Sequence, residues 1–148
     1  MKFITIISSL FLAACVTAPE LVTTTVQIDD RVFEVRNSNP RGHTIPSAVL
    51  ANKMLSNASK KSLALGCEYF VATQNTSQSF KTPQGNISEG LSRLDNGQVI
   101  YKTGQGQIYS VIRPDPRVNV FVCFNQKPDA LLPGLVFNAK YVAGSLPD

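Results

Sequence analysis

Residues 47–73 read SAVLANKMLSNASKKSLALGCEYFVAT, and this stretch predicts the central unit of the fold. Ser47 follows Pro46 and is a favoured N-cap residue, so a helix is expected to begin there. Apolar residues recur with a period near 3.6 and predict one buried face, comprising Leu50, Met54, Ala58 and Leu65, flanked by Ala51, Leu55 and Ser62. Gly66 ends this helix, because glycine accepts positive φ. An apolar strand over 67–73 follows directly, so the helix is expected to fold back over the sheet that this strand joins.

Segments rich in β-branched residues on either side of this unit predict more strands. Residues 22–36 read VTTTVQIDDRVFEVR and predict a hairpin that turns at Asp29 and Asp30. Three further strands are predicted over 99–103, 107–113 and 118–124.

The expected fold class is therefore α+β. We predict an antiparallel sheet of about five to six strands, packed by one main helix and a short C-terminal helix. The main helix covers about 47–65, and the C-terminal helix covers about 135–145.

The first fifteen residues, MKFITIISSLFLAAC, have the pattern of an export signal. Lys2 precedes an uncharged apolar run, and small residues precede Cys15. A transmembrane helix would need roughly 20 apolar residues, so this run is too short to span a membrane. A plain secretory signal, cleaved after an Ala-x-Ala-like site, remains the alternative interpretation.

Leu12-Ala13-Ala14-Cys15 resembles the lipobox of bacterial lipoproteins. In that family the cysteine thiol receives diacylglycerol, and a dedicated signal peptidase cuts just before it. The resemblance implies a signal peptide over 1–14, a lipidated tether over 15–21 and one globular domain over 22–148. It also implies attachment to a membrane through acyl chains on Cys15. In a Gram-negative cell this predicts the outer membrane facing the periplasm, because Val16 is not the aspartate retention signal of the family.

The composition is typical of a single globular domain. The chain has 148 residues, of which 43% are hydrophobic and 16% are charged. It has 14 Lys and Arg against 10 Asp and Glu, for a net charge of +4. The basic residues are spread along the chain, so we expect a solvated surface and no nucleic-acid partner.

Cys67 and Cys123 remain after Cys15 is assigned to the lipid. An even pair of cysteines in an exported domain predicts a disulfide, and the alternative is two buried free thiols. The bridge would close a loop of about 55 residues, for which the chain-entropy model gives roughly 4 kcal/mol of stabilisation.

The residue types that could carry catalysis lack the partners that catalysis requires. His43 is the single histidine, and no sequence feature supplies the group that would orient a general base. The Gly104-x-Gly106 pair lacks the rest of a dinucleotide fingerprint and is better explained by a turn. We therefore expect no enzyme activity, no catalytic residues, no cofactor and no bound metal.

The long polar segment over 74–97 is the predicted partner-binding region. Such a length is unusual for a connection and marks a segment as functional or as a spacer. Phe80, Ile87 and Leu91 are its expected exposed apolar contacts, and the loop around His43 is a candidate neighbour. The alternative is an insertion with no partner.

The order of hairpin, loop, helix, glycine and aromatic strand is similar to a group of small envelope lipoproteins of uncharacterised function. The matching segments are DDRVFEV at 29–35, Ala58, Leu65-Gly66, EYFV at 68–71 and FNAKYV at 137–142. The resemblance implies an α+β fold and an envelope location. We predict a non-enzymatic lipoprotein that binds an envelope protein or a peptidoglycan partner. The alternative is a small periplasmic hydrolase, or a hydrolase inhibitor similar to the lysozyme-inhibitor lipoproteins, which also carry a lipobox and a disulfide.

Overall fold

The chain folds into an antiparallel sheet with helices, which confirms the predicted α+β class. The computed structural model describes residues 21–42, 44–77, 87–128 and 135–147. Within these ranges there are eight strands and two helices. The strands are β1 (Val22–Asp29), β2 (Val32–Ser38), β3 (Tyr69–Asn75), β4 (Gly90–Arg93), β5 (Val99–Lys102), β6 (Ile108–Val111), β7 (Val118–Phe124) and β8 (Phe137–Asn138). The helices are α1 (Ser47–Ala64) and α2 (Ala139–Ser145).

The order of strands across the sheet is β1-β2-β7-β3-β6-β5-β4, with β8 paired to β3 off this path. The sheet thus has more strands than the five to six predicted. The two extra strands are β4, which lies inside the predicted polar loop, and β8, which lies inside the predicted C-terminal helix. Both are short, so their pairing with neighbours, and not a local alternating pattern, makes them strands.

The predicted hairpin is confirmed, and its turn lies one residue later than expected. β1 pairs with β2 from Val22↔Ser38 to Asp29↔Val32, so the turn consists of Asp30 and Arg31. Asp29 belongs to β1, and its carboxylate accepts a 2.8 Å hydrogen bond from the backbone N–H of Asp30.

The main helix is confirmed, but its predicted cap is wrong. Pro46 occupies the N-cap position, Ser47 is already helical, and no side chain caps the helix. The backbone carbonyl of Pro46 instead accepts bonds from Val49 N–H and Leu50 N–H at 3.0 and 3.2 Å. The predicted stop is correct, because Gly66 has a φ of 77° and follows the last turn of the helix.

The predicted face of α1 packs on one side of the sheet. Its Met54 and Ala58 are fully buried against Phe33, Phe70 and Phe121 of the strands. Ser62 is also buried as expected, whereas Leu50, Ala51, Leu55 and Leu65 are half-buried. Two further serines of α1, Ser56 and Ser59, are buried too. α2 packs on α1, and small serine side chains allow helices to approach closely.

The predicted disulfide between Cys67 and Cys123 is present. The two sulfurs are bonded, and the Cα atoms lie 5.7 Å apart. Cys123 lies in β7, whereas Cys67 lies just before β3 and not on a strand as predicted. The bridge is almost inaccessible to solvent, because the two residues are 1% and 0% exposed.

Candidate functional site

The sheet face opposite α1 carries a second apolar cluster. Its fully buried members are Val32, Val71, Val99, Tyr109 and Val122. Val32 belongs to β2 and Val99 to β5, and three strands separate β2 from β5 in the sheet order. The sheet must therefore curve strongly around this face, so that distant strands share one core.

One end of the curved face carries a shallow cavity of about 430 Å³ that is widely open to solvent. We call this cavity the aromatic cup. Its lining residues are Arg31, Gly90, Leu91, Tyr101, Phe124, Asn125 and Gln126. They come from the β1–β2 turn, from β4 and β5, and from the end of β7. The curvature of the sheet thus assembles the cup from segments that are far apart in sequence.

The floor of the cup is apolar. The rings of Tyr101 and Phe124 meet edge to face, with centroids 5.9 Å apart and planes at 79°. Leu91 lies directly opposite Tyr101 in the β4–β5 pairing. All three side chains are half-buried, so part of this apolar surface remains open to solvent.

Arg31 supplies a positive charge held at the rim of the cup. Its backbone carbonyl accepts a 3.0 Å bond from Cys123 N–H, which ties the β1–β2 turn to β7. Its Nη1 donates to the side-chain oxygen of Asn125 at 3.3 Å and more weakly to Cys67 Sγ at 3.8 Å. Within the described ranges, no carboxylate forms a salt bridge with this guanidinium. The charge is therefore positioned in advance and available to an anionic group.

The surroundings of Tyr101 disfavour its phenolate form. Burial raises the pKa of Tyr101, the carboxylates of Asp29 and Glu89 raise it further, and Arg31 opposes them. Burial and then Asp29 also raise the pKa of Tyr109, which lies directly opposite Tyr101 in the β5–β6 pairing. The Tyr101 phenol, neutral at neutral pH like an ordinary tyrosine, thus remains able to donate a hydrogen bond in the cup.

A second cavity of about 430 Å³ lies between the residues that follow β2 and the start of α1. Its wall includes Asn37, whose amide group donates to the carbonyls of Leu50 and Pro116 at 2.8 and 2.9 Å. The Asn37 side-chain oxygen accepts a 2.8 Å bond from the Thr23 hydroxyl. Asn37 is thus fully engaged in holding the fold, and none of the described residues that line this cavity is aromatic.

The predicted site residues separate into three groups. Cys15, His43 and Phe80 lie outside the described residues. Ile87 is half-buried, and its backbone carbonyl accepts a 3.0 Å bond from Lys102 Nζ on β5. Leu91 is not an exposed loop residue as predicted, because it lies on β4 and forms part of the cup.

Whether the loop around His43 lies beside the 74–97 segment stays a prediction, because His43 and residues 78–86 lie outside the described residues.

Sequence reasoning missed Arg31, Tyr101 and Phe124 as site residues. The alternation of strands β5 and β7 could have placed Tyr101 and Phe124 on one sheet face. It could not have shown that the sheet curves enough to bring the β1–β2 turn beside them.

The described part of the chain contains no group of three His, Cys, Asp or Glu residues arranged to hold a metal ion. Neither described helix has the length and apolar character needed to cross a membrane. No protein-family model, curated protein or solved structure matches this chain.

Proposed function

We propose that this chain is a lipid-anchored lipoprotein of the bacterial cell envelope that binds a partner protein through the aromatic cup and is not an enzyme. The observation that carries the proposal is the half-buried floor of Leu91, Tyr101 and Phe124 beside the held guanidinium of Arg31. Arginine and tyrosine are the residue types that most often dominate the binding energy of protein interfaces.

The chemistry of the cup defines the partner segment that fits it. The apolar floor favours an aliphatic or aromatic side chain, and Arg31 favours a carboxylate next to it. Arg31 is already ordered by its bonds to Asn125 and Cys67, so less conformational entropy is lost when it binds. A cell-wall fragment that carries a carboxylate is the competing ligand, and it is tested below.

The anchor rests on the lipobox pattern at 12–15. A tether over 15–21 has seven residues, and an extended chain of that length reaches roughly 25 Å. The start of β1 would then lie within that distance of the lipid surface. The Cys67–Cys123 disulfide supports an exported location, because such bridges persist in oxidising compartments.

Replacing the lipidated residue tests the anchor. In Cys15→Ser the hydroxyl cannot form the thioether to diacylglycerol, so the chain is expected to leave the membrane fraction or remain unprocessed. Membrane fractionation and intact-mass measurement of the mature chain provide the readout. A wild-type mass without acyl chains would refute lipidation, and separation of inner and outer membranes tests the predicted location.

Photo-crosslinking in cells tests the cup. A benzoylphenylalanine at Gln126, an exposed cup residue, is expected to capture a protein partner, whereas one at the exposed Gln105 is not. Arg31→Gln removes the charge and should reduce the yield of that adduct by about threefold to tenfold, with the larger loss at low salt, because a charge at the rim of an interface mainly speeds association. Arg113→Gln removes the same charge at an exposed arginine outside the cup lining and should leave the adduct unchanged.

Two outcomes would overturn the cup as the binding site for a protein. Equal crosslinking at Gln126 and Gln105, or none at Gln126, would show that no partner occupies it. Arg31-dependent co-sedimentation with isolated peptidoglycan, without a protein adduct, would assign the cup to the cell wall. A captured hydrolase whose activity falls on binding would instead identify the chain as an inhibitor.

A further inference from the structure

Strand β1 forms one edge of the sheet and is unusually long for an edge. It has eight residues, and no described residue pairs with its outer side. Its middle is exposed, including the apolar side chains of Val26 and Ile28, which are 57% and 46% exposed. The opposite edge, β4, has only four residues and ends in Arg93.

Most of β1 lacks the features that usually prevent edge strands from pairing, and its β-bulge lies only at its end, between Gln27 and Asp29. Residues 22–28 read VTTTVQI and contain no charge and no proline. β-Branched residues dominate the segment and favour an extended conformation. Such an edge offers unpaired backbone N–H and C=O groups to another strand.

We propose that β1 pairs antiparallel with β1 of a second copy of this chain. A two-fold axis perpendicular to the sheet places both copies with the same face up. In an antiparallel pair, directly opposed residues point to the same face of the sheet. The axis must therefore pass beside one residue of β1, which then lies opposite its own copy in the second chain. This inference does not depend on the cup.

Thr25 is the residue that suits this axis. The register then opposes Thr25↔Thr25, Thr24↔Val26, Thr23↔Gln27 and Val22↔Ile28. No charged residue faces another along these seven positions, and two apolar side chains meet at each end. Thr25 is the midpoint of residues 22–28, so an axis beside Thr24 or Val26 would leave only five of these seven positions paired.

The irregularity at the end of β1 agrees with this register. The pairing of β1 with β2 shifts between Gln27 and Asp29. A β-bulge of this kind bends the strand and interrupts pairing. The proposed contact therefore ends at Ile28, before the acidic residues of the turn.

A single cysteine at the axis tests the pairing. Opposed residues in an antiparallel pair have Cα atoms about 4.5–5.5 Å apart, which a disulfide can span. Full-length Thr25→Cys, purified from envelopes in mild detergent, is expected to run as a covalent dimer on a non-reducing gel. Gln105→Cys, an exposed position at the β5–β6 turn, is the control and should remain monomeric.

A like-charge variant provides the second test. Thr25→Lys would place two like charges opposite each other, so the dimer expected for the wild type in analytical ultracentrifugation should dissociate about twofold to fivefold more readily. Gln105→Lys adds the same charge away from the edge and should leave the dimer intact. A monomeric wild type, an unchanged dimer in a folded Thr25→Lys variant, or the absence of the Thr25→Cys crosslink would each overturn the proposal.

Discussion

Replacing both disulfide cysteines, as Cys67→Ala with Cys123→Ala, is expected to lower the free energy of unfolding by about 4 kcal/mol. The bridge spans 56 residues, and the chain-entropy model gives that magnitude for a loop of this length. Alanine is the appropriate replacement, because both positions are buried and a serine hydroxyl would need a hydrogen-bond partner. The loss would be a large part of the stability of an ordinary domain.

Urea unfolding followed by far-ultraviolet circular dichroism measures this loss. Wild-type protein treated with a reductant should lose a similar amount of stability, whereas the same reductant should not affect the double variant. Comparing the two losses thus separates the effect of the covalent bond on stability from the effect of changing the side-chain volume. If oxidised wild type and double variant unfold at the same urea concentration, the bridge does not stabilise the fold.

The central unit could be predicted because its parts are close in sequence. Only four residues, 65–68, separate α1 from β3, so local patterns determine their relation. The sequence predicts β7 over its full length, since VNVFVCF is a nearly continuous apolar run rich in β-branched and aromatic residues. The cysteines then connect this local unit to β7, because β3 and β7 pair with Phe70 opposite Cys123.

The strands and the site residue that could not be predicted depend on contacts between segments that are far apart in sequence. β4 and β8 contain four and two residues, too few for a periodic pattern. Leu91 was assigned to an exposed loop because the residues around it are polar, yet pairing with β5 places it in the cup.

The candidate site could be predicted only in part. Of the predicted partner-binding residues that the structure describes, Leu91 lines the cup and Ile87 does not. Arg31 and Phe124 lie together because β2 pairs with β7, whereas Tyr101 of β5 reaches them because the sheet curves. Curvature depends on twist accumulated across many strands and is not encoded in any single one of them.

Four phenylalanines form a continuous row of ring contacts across the sheet. Phe33 stacks on Phe121 with centroids 5.7 Å apart, and Phe121 meets Phe70 edge to face at 5.6 Å. Phe70 in turn stacks on Phe137 at 5.3 Å. The row crosses β2, β7, β3 and β8 in the order in which these strands pair. Phe121 is its central member, because it contacts aromatic rings on both adjacent strands.

Phe121→Ala is therefore expected to reduce the free energy of unfolding by about 3–5 kcal/mol, as is typical when a buried phenylalanine is replaced by alanine. Phe121 is 0% exposed, so the replacement leaves a cavity and removes both ring contacts. Tyr141→Ala is the matched control, because Tyr141 is 74% exposed and should cost less than about 0.5 kcal/mol.

Chemical denaturation measures the free energy of unfolding of Phe121→Ala and Tyr141→Ala. If Phe121→Ala does not fold, Phe121→Leu takes its place in the comparison. Leucine retains most of the apolar volume but no ring, so its loss should fall between those of Tyr141→Ala and Phe121→Ala. Equal stability of the Phe121 and Tyr141 variants would mean that the aromatic row does not hold β2, β7 and β3 together. A loss confined to Phe121 would instead show that this ring holds β7 to the strands on either side of it.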